Sequence, residues 1–412
     1  MSYPFTNATK RYTIIAVILI YFLFGFISLQ TANIHLDEKE SHLPTLNSFF
    51  HDGILTTVST PNYKVANTPL PYIIDTIILK IFSIKPSLYS ARLLNMAVSF
   101  LTVLILTLLL ESKALINFFI PVFFFYPYFL KPSFAYFMSI YGLFFFLIFI
   151  YFSFRKDKTG FFISGLSLSL AVLCQQFYLI VLVFYFPILF YRRYKQSELR
   201  FIWQELLLFI LPFVLPGILF LIWGGLTHPS YAAWGAAFSL KNLTGVLAVL
   251  GSCLFPFLIY KIRDTNLKIL TLFFVLSFLL VFFYFPLWVS APTPGGISGY
   301  TFHVLSIINS YSSLVGFIAK AFLVFLGISS FYIFYKMISE DKSRLLYIIF
   351  IILAFGFTLN QLPSERHLLP LIVCAYLLVF SGELKPSVLR IWLLLQVITG
   401  ASYFYSIMNV NL

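Results

Sequence analysis

About thirteen apolar runs, most of them near bilayer length, divide this 412-residue chain and leave little between them. A helix needs about 20 predominantly apolar residues to cross the hydrocarbon core. The runs lie at 12–30, 88–110, 114–130, 134–154, 160–175, 177–191, 202–224, 242–260, 269–289, 311–335, 345–361, 368–382 and 389–409. The expected fold class is therefore all-α: a polytopic integral membrane protein of about 11–13 transmembrane helices, forming one module over 1–412. Only 10% of residues are charged and 60% are hydrophobic, against about 25% charged in a soluble domain. A water-exposed globule of this size is excluded.

The net charge of +13 follows the membrane topology. Most of the 27 basic residues sit in short breaks, at Lys10/Arg11, Lys113, Arg155 to Lys158, Arg192 to Arg200, Lys261 to Lys268, Lys336 to Arg344 and Lys385/Arg390. Those breaks recur at every second crossing, as cytoplasmic loops do, so nucleic acid is not an expected partner. The run Tyr12 to Gln30 reads as a signal anchor, being too long for a cleaved h-region. Cys174, Cys253 and Cys374 lie in apolar runs with no CxxC spacing and read as small core residues.

Most loops are stubs. The exception is the first outer loop, residues 31–87; smaller outer loops fall at 225–241, around Trp234, and at 290–309, with Ala-Pro-Thr-Pro-Gly-Gly. Within the long loop, Thr68 to Phe82 is apolar but interrupted by Asp75 and Lys80. It is expected as a helix lying in the interface, with prolines in its first turn. No 20–50-residue repeat or inverted repeat is visible, which disfavours a transporter built from paired halves.

Acidic residues are scarce, 14 in all, yet Asp37, Glu38, Glu40 and Asp52 crowd just beyond the first crossing. His35, His42 and His51 accompany them, half of the chain's six histidines. On a helix Glu38 and His42 share a face at i,i+4. A carboxylate at the membrane edge can act as a general base on an acceptor hydroxyl or ligate a cation. It can also simply solubilise the loop with Lys39 as its partner. The spacing is not HExxH, and no metal is expected. Near the other end, Glu365, Arg366 and His367 precede an apolar span. An Arg there suits a phosphate, through two parallel hydrogen bonds, or snorkels to headgroups. Arg92 and Asn95 enter the second crossing one turn apart, and intramembrane charge is a functional or an ion-paired feature. Lys320, inside 311–335, reads the same way, with a structural partner favoured. Gln175/Gln176 and His228 are weaker polar features on the outer side.

The order DEKESH (37–42), TPLPYI (68–73), ARLLN (91–95) and SERHLLP (364–370) resembles the class C glycosyltransferases (GT-C), most closely the dolichyl-phosphate-glucose α-1,2-glucosyltransferases. GGLTHPSYAAW and LCQQF (173–177) are fainter echoes. The histidine follows the Asp-Glu pair one residue later than in the family, and position 367 is His where Tyr is usual. Gln175-Gln176 stands for an Arg-Gln pair. The resemblance implies a GT-C-like fold and transfer of a hexose from a polyprenyl-phosphate donor to a lipid-linked or surface glycan acceptor on the outer face. It implies Asp37 or Glu38 as base, and Arg366 with His367 or Lys64 at the donor phosphate. His42, Arg92, Asn95, His228 and Glu365 would bind substrate or support these groups. The partners are then the lipid-linked donor, the acceptor and membrane lipids, with no cofactor. The membrane is a bacterial or archaeal cytoplasmic one, or the endoplasmic reticulum in a eukaryote. A flippase of lipid-linked saccharides or a surface-polysaccharide polymerase remains the alternative.

Overall fold

The computed structural model describes residues 23, 25, 37–59, 63–110, 113–155, 157–195, 199–231, 238–288, 296–297, 299–338, 341–359, 365–380 and 384–409. The expected first crossing apart from Leu23 and Gly25, His35, Trp234 and the Ala-Pro-Thr-Pro-Gly segment lie outside them. The chain divides into two compact units, residues 1–233 with 399–412, and residues 234–398.

In the first unit a π-helical turn, Glu38–His42, runs into α1 (Leu43–His51), followed by α2 (Ile54–Ser59) and α3 (Leu70–Ile81). The apolar run at 88–110 is α4 (Leu88–Leu109), opened by a reciprocal cap in which Ser87 and Ser90 each accept the other's amide, as a capping box does. Then come α5 (Lys113–Phe124), α6 (Pro127–Phe134), α7 (Ser139–Ser153), α8 (Lys158–Cys174), α9 (Leu179–Lys195), α10 (Leu199–Ile210) and α11 (Val214–Trp223). Helix α7 packs most extensively on α8 and on α4, while α3 lies against α1 and α8.

The second unit holds α12 (Leu240–Ile262), α13 (Leu267–Tyr284), α14 (Tyr300–Tyr311), α15 (Ser313–Met337), α16 (Asp341–Gly356) and α17 (Leu369–Phe380). Helix α18 (Pro386–Asn409) is divided between the units at Thr399. The dominant packing in this unit is α12 on α15. A Cβ at Gly251 would strike the carbonyl oxygen of Leu323, and one at Gly327 that of Leu247. Each helix thus offers a glycine to the other's backbone, the small-residue approach favoured between membrane helices. The only β structure among the described residues is a two-residue parallel ladder, Leu287–Trp288 with Gly296–Ile297.

Six described helical stretches are long and apolar enough to cross a membrane: Leu88–Leu109, Trp203–Trp223, Leu240–Ile262, Leu267–Tyr284, Ser313–Met337 and Lys342–Leu359. The bent pair α6/α7 would be a seventh. That is fewer than the eleven to thirteen expected. The difference lies partly in the expected runs at 160–175, 177–191 and 368–382, whose helices have at most 17 residues. The run at 114–130 and the start of the next are also not continuous helices. The chain breaks before Pro127, as proline cannot donate the helical hydrogen bond and clashes with the preceding turn, and α6 and α7 meet at 114° across Ala135–Met138.

Candidate functional site

The residues singled out in the first outer loop and in α4 converge in the first unit. The π-turn widens the helix just where the acids lie, a distortion frequent at functional sites. Glu38 and His42 share its buried face as their spacing predicts, while Lys39 and Glu40 are exposed. Glu38 is fully buried. Arg92 grips it with both arms, Nε to Oε1 at 3.0 Å and Nη2 to Oε2 at 2.7 Å. The backbone amide of Tyr136 donates to the same Oε1 at 2.6 Å. Expected beside Asp37 as a base, Glu38 is fully buried and both of its carboxylate oxygens accept hydrogen bonds. Arg92 is likewise buried. Asp37, the neighbour of Glu38, is half-buried.

Asn95, one turn beyond Arg92, is buried as well. Its amide nitrogen donates to the carbonyls of Pro132 (3.0 Å), Ala135 (2.8 Å) and Phe137 (2.9 Å). These oxygens lie at the end of α6 and in the break before α7, where the Ala135 carbonyl also accepts from the Phe137 amide. Backbone acceptors so placed must be satisfied from within the protein. Asn95 is thus a structural clamp on the loop that carries the Tyr136 amide, and through it on Glu38.

His42 Nδ1 lies 2.6 Å from the Tyr72 hydroxyl, and its ring packs on Tyr72, Tyr136 and Phe137. Tyr72 stands on α3, whose buried face is Tyr72, Asp75, Thr76 and Leu79. The apolar segment at 68–82 is a helix with Pro69 and Pro71 at its start, as expected. Asp75 does not interrupt it toward water; it points into the core and is fully buried.

The Tyr136 hydroxyl donates to Asp75 Oδ2 at 2.7 Å, and the Tyr141 hydroxyl donates to Oδ1. Neither described ion pair, Glu38–Arg92 or Arg155–Asp157, includes Asp75. Burial pushes its carboxyl up from 3.8 to about 7, against the two phenol hydrogen bonds that lower it. Sequence reasoning missed this group. The available signal was its spacing: positions 72, 75, 76 and 79 form one helical stripe, and an acid on an apolar stripe needs buried partners.

The remaining expected residues are placed as follows. His228 is buried beside Tyr63 and Trp223, with Nδ1 accepting from the Ser230 amide at 3.3 Å, and burial lowers its pKa. Lys64 is exposed on the segment after Tyr63. Glu365, Arg366 and His367 form a short 3-10 turn, Glu365–Leu368, leading into the fully buried α17 of the second unit. The side chains of Glu365 and Arg366 are outside the described residues, and His367 is half-buried. Gln175, which caps α8, is buried, and Gln176 donates to the Ala66 carbonyl at 2.9 Å. Among the described residues no three His, Cys, Asp or Glu side chains group as a metal site.

No family model matches the chain, and no curated protein matches it. Among solved structures it is similar to ArnT from Cupriavidus metallidurans bound to undecaprenyl phosphate. The TM-score is 0.44 and the identity 10%, over 95% of this chain and 77% of that one. It is also similar to the apo state of the same protein, at TM-score 0.45 and 11% identity, over 97% and 78%. A likeness at this level assigns no activity.

Proposed function

We propose that the chain is an integral-membrane glycosyltransferase that moves a hexose from a polyprenyl-phosphate donor to a lipid-linked or surface glycan acceptor. One observation supports this reading above the others: the π-turn locks Glu38 to Arg92 and leaves its neighbour Asp37 half-buried at the same turn. In this reading Asp37 is the general base. It takes the proton of the acceptor hydroxyl as that oxygen attacks the anomeric carbon. The bond from that carbon to the donor phosphate breaks on the opposite side, with inversion of configuration. The phosphate leaves as a stable anion, so no acid is needed to protonate it. Arg366 and His367, with Lys64 as the further candidate, are the groups assigned to that phosphate on the sequence resemblance. His42, held by Tyr72, and the Glu38–Arg92 pair support the base, and Asn95 holds the loop beneath it. His228 and Glu365 are the remaining candidates for the sugar or the acceptor.

The test is transfer from a radiolabelled polyprenyl-phosphate hexose in membranes carrying the wild type or Asp37→Asn. A positioned base contributes about 10²–10⁴-fold, so transfer is expected to fall by that factor with donor binding retained. Wild-type membranes that bind no such donor refute the glycosyltransferase reading and bring the flippase forward. Undiminished transfer by Asp37→Asn removes Asp37 as base.

A further inference from the structure

Asp75 is a buried titratable group that the proposed chemistry leaves unused, and it stands where α3 meets the turn that carries Asp37. Tyr72 and Asp75 share the buried stripe of α3, and each reaches one of the two buried residues of the π-turn, His42 and Glu38. The tie from Tyr72 is direct, its hydroxyl lying 2.6 Å from His42 Nδ1. The tie from Asp75 is relayed. The Tyr136 hydroxyl donates to Asp75 Oδ2 at 2.7 Å, and the amide of the same residue donates to Glu38 Oε1 at 2.6 Å. Tyr136 thus bridges two fully buried carboxylates, one with its side chain and the other with its backbone. Asp37 precedes Glu38 in the chain, so what fixes Glu38 also fixes the backbone beside Asp37.

Two phenols donating to the two oxygens suit the ionised form of Asp75, which only accepts. In the neutral acid the bond from Tyr136 loses its charge assistance, which is worth about half of its strength. Burial favours the neutral acid, the phenols favour the carboxylate, and the balance falls at about 7. Facing Asp75 are Tyr72 on its own helix, Tyr136 from the break, Tyr141 from α7 and the Cys174 thiol of α8. Beyond Tyr72 lies His42 of the π-turn, and beyond Tyr136 lies Glu38 with Arg92 of α4. Burial first, then neighbouring groups that include Asp75 and Asp37, push the Tyr72 phenol up. Both carboxylates therefore lie within electrostatic reach of one residue of α3.

We propose that Asp75 is a positioning residue for Asp37: its ionised carboxylate holds Tyr136, whose amide holds Glu38 and with it the turn. The proposal rests on the reading of Asp37 as the general base. A role confined to holding the fold would make activity fall together with stability. The charge on Asp75 separates the two, because burying it opposes folding while its bond to Tyr136 orders the turn.

The test compares wild type, Asp37→Asn, Asp75→Asn, Tyr136→Phe and Tyr141→Phe. Transfer from a radiolabelled polyprenyl-phosphate hexose is followed in permeabilised membranes from pH 5.5 to 8.5, alongside melting of the purified chains in detergent. At saturating donor, wild-type transfer is expected to rise on the order of tenfold as Asp75 ionises through about pH 7. Asp75→Asn is expected to keep the low rate at every pH, to change the half-saturating donor concentration by less than about twofold, and to melt no lower than the wild type at pH 8. Tyr136→Phe cuts the tie and is expected to lose the rise as well. Tyr141→Phe leaves the tie and is expected to keep the rise, with its midpoint moved above pH 7. An Asp75→Asn protein that transfers as the wild type does at pH 8 overturns the proposal and leaves Asp37 in place as the base, as does one whose loss of transfer only follows a lower melting temperature. Absence of transfer by the wild type, or undiminished transfer by Asp37→Asn, refutes the base reading itself and this proposal with it.

Discussion

Asp75→Asn is expected to abolish a pH dependence of stability that is unusual in sign. Most native carboxylates are held below their free pKa, and their proteins gain stability as pH rises. Asp75 is fully buried against two phenols, with no ion pair among the described residues, and its carboxyl is raised from 3.8 to about 7. Folding therefore takes up a proton between those values. Its contribution is fully present below pH 3.8 and is lost as pH rises through about 7. Each pH unit in that window is worth about 1.4 kcal/mol, so the whole interval amounts to about 4 kcal/mol.

The measurement is thermal or denaturant unfolding of the purified chain in detergent at pH 4 to 8.5, wild type against Asp75→Asn. Other titrating groups cancel in the difference between the two proteins. That difference is expected to shift by about 4 kcal/mol in favour of the variant between pH 4 and 7, then level off. Tyr141→Phe removes a donor to the ionised form and is expected to move the end of the decline above pH 7. Parallel curves for wild type and Asp75→Asn between pH 4 and 7 would refute the reasoning, because they require Asp75 to titrate alike in the folded and unfolded chain.

Three further expectations concern packing. Arg92→Leu leaves the Glu38 carboxylate buried and unpaired, which is expected to cost about 3–5 kcal/mol, whereas the double change Glu38→Met/Arg92→Leu recovers most of that; unfolding of the two variants compares them directly. Asn95→Leu uncovers the Pro132 and Phe137 carbonyls, that of Ala135 keeping the Phe137 amide, and is expected to destabilise the first unit by about 1–3 kcal/mol for each one left bare, read as earlier proteolysis at the break between α6 and α7. Gly251→Ala or Gly327→Ala forces α12 and α15 apart, at a cost of about 1–3 kcal/mol, measurable as a lower melting temperature.

The helices of the second unit were largely legible because their apolar runs are continuous. The expected run at 242–260 lies within α12, and that at 311–335 nearly coincides with α15. Hydropathy failed within the expected run at 114–130, where the apolar residues are continuous but the helix stops at Phe124 and restarts at Pro127, a break that hydropathy does not see. In the candidate site, the common face of Glu38 and His42 follows from spacing alone. The choice of Arg92 as the partner of Glu38 does not, because the two are separated by 54 residues and Glu38 had a local alternative in Lys39. Asp75 was harder still. An Asp in a short apolar stretch has the same signature whether it faces water or two tyrosines, and those tyrosines lie 61 and 66 residues away.

The clamp formed by Asn95 also orders the chain in time. The three carbonyls it satisfies belong to residues made 37, 40 and 42 positions later. A broken helix entering hydrocarbon with bare acceptors is a poor occupant of a bilayer. Synthesis from the N-terminus places α4 in the membrane first, so the donor is already waiting when the interrupted segment arrives. Insertion of α6 and α7 thus depends on a side chain of an earlier helix, and their hydrophobicity alone does not complete it.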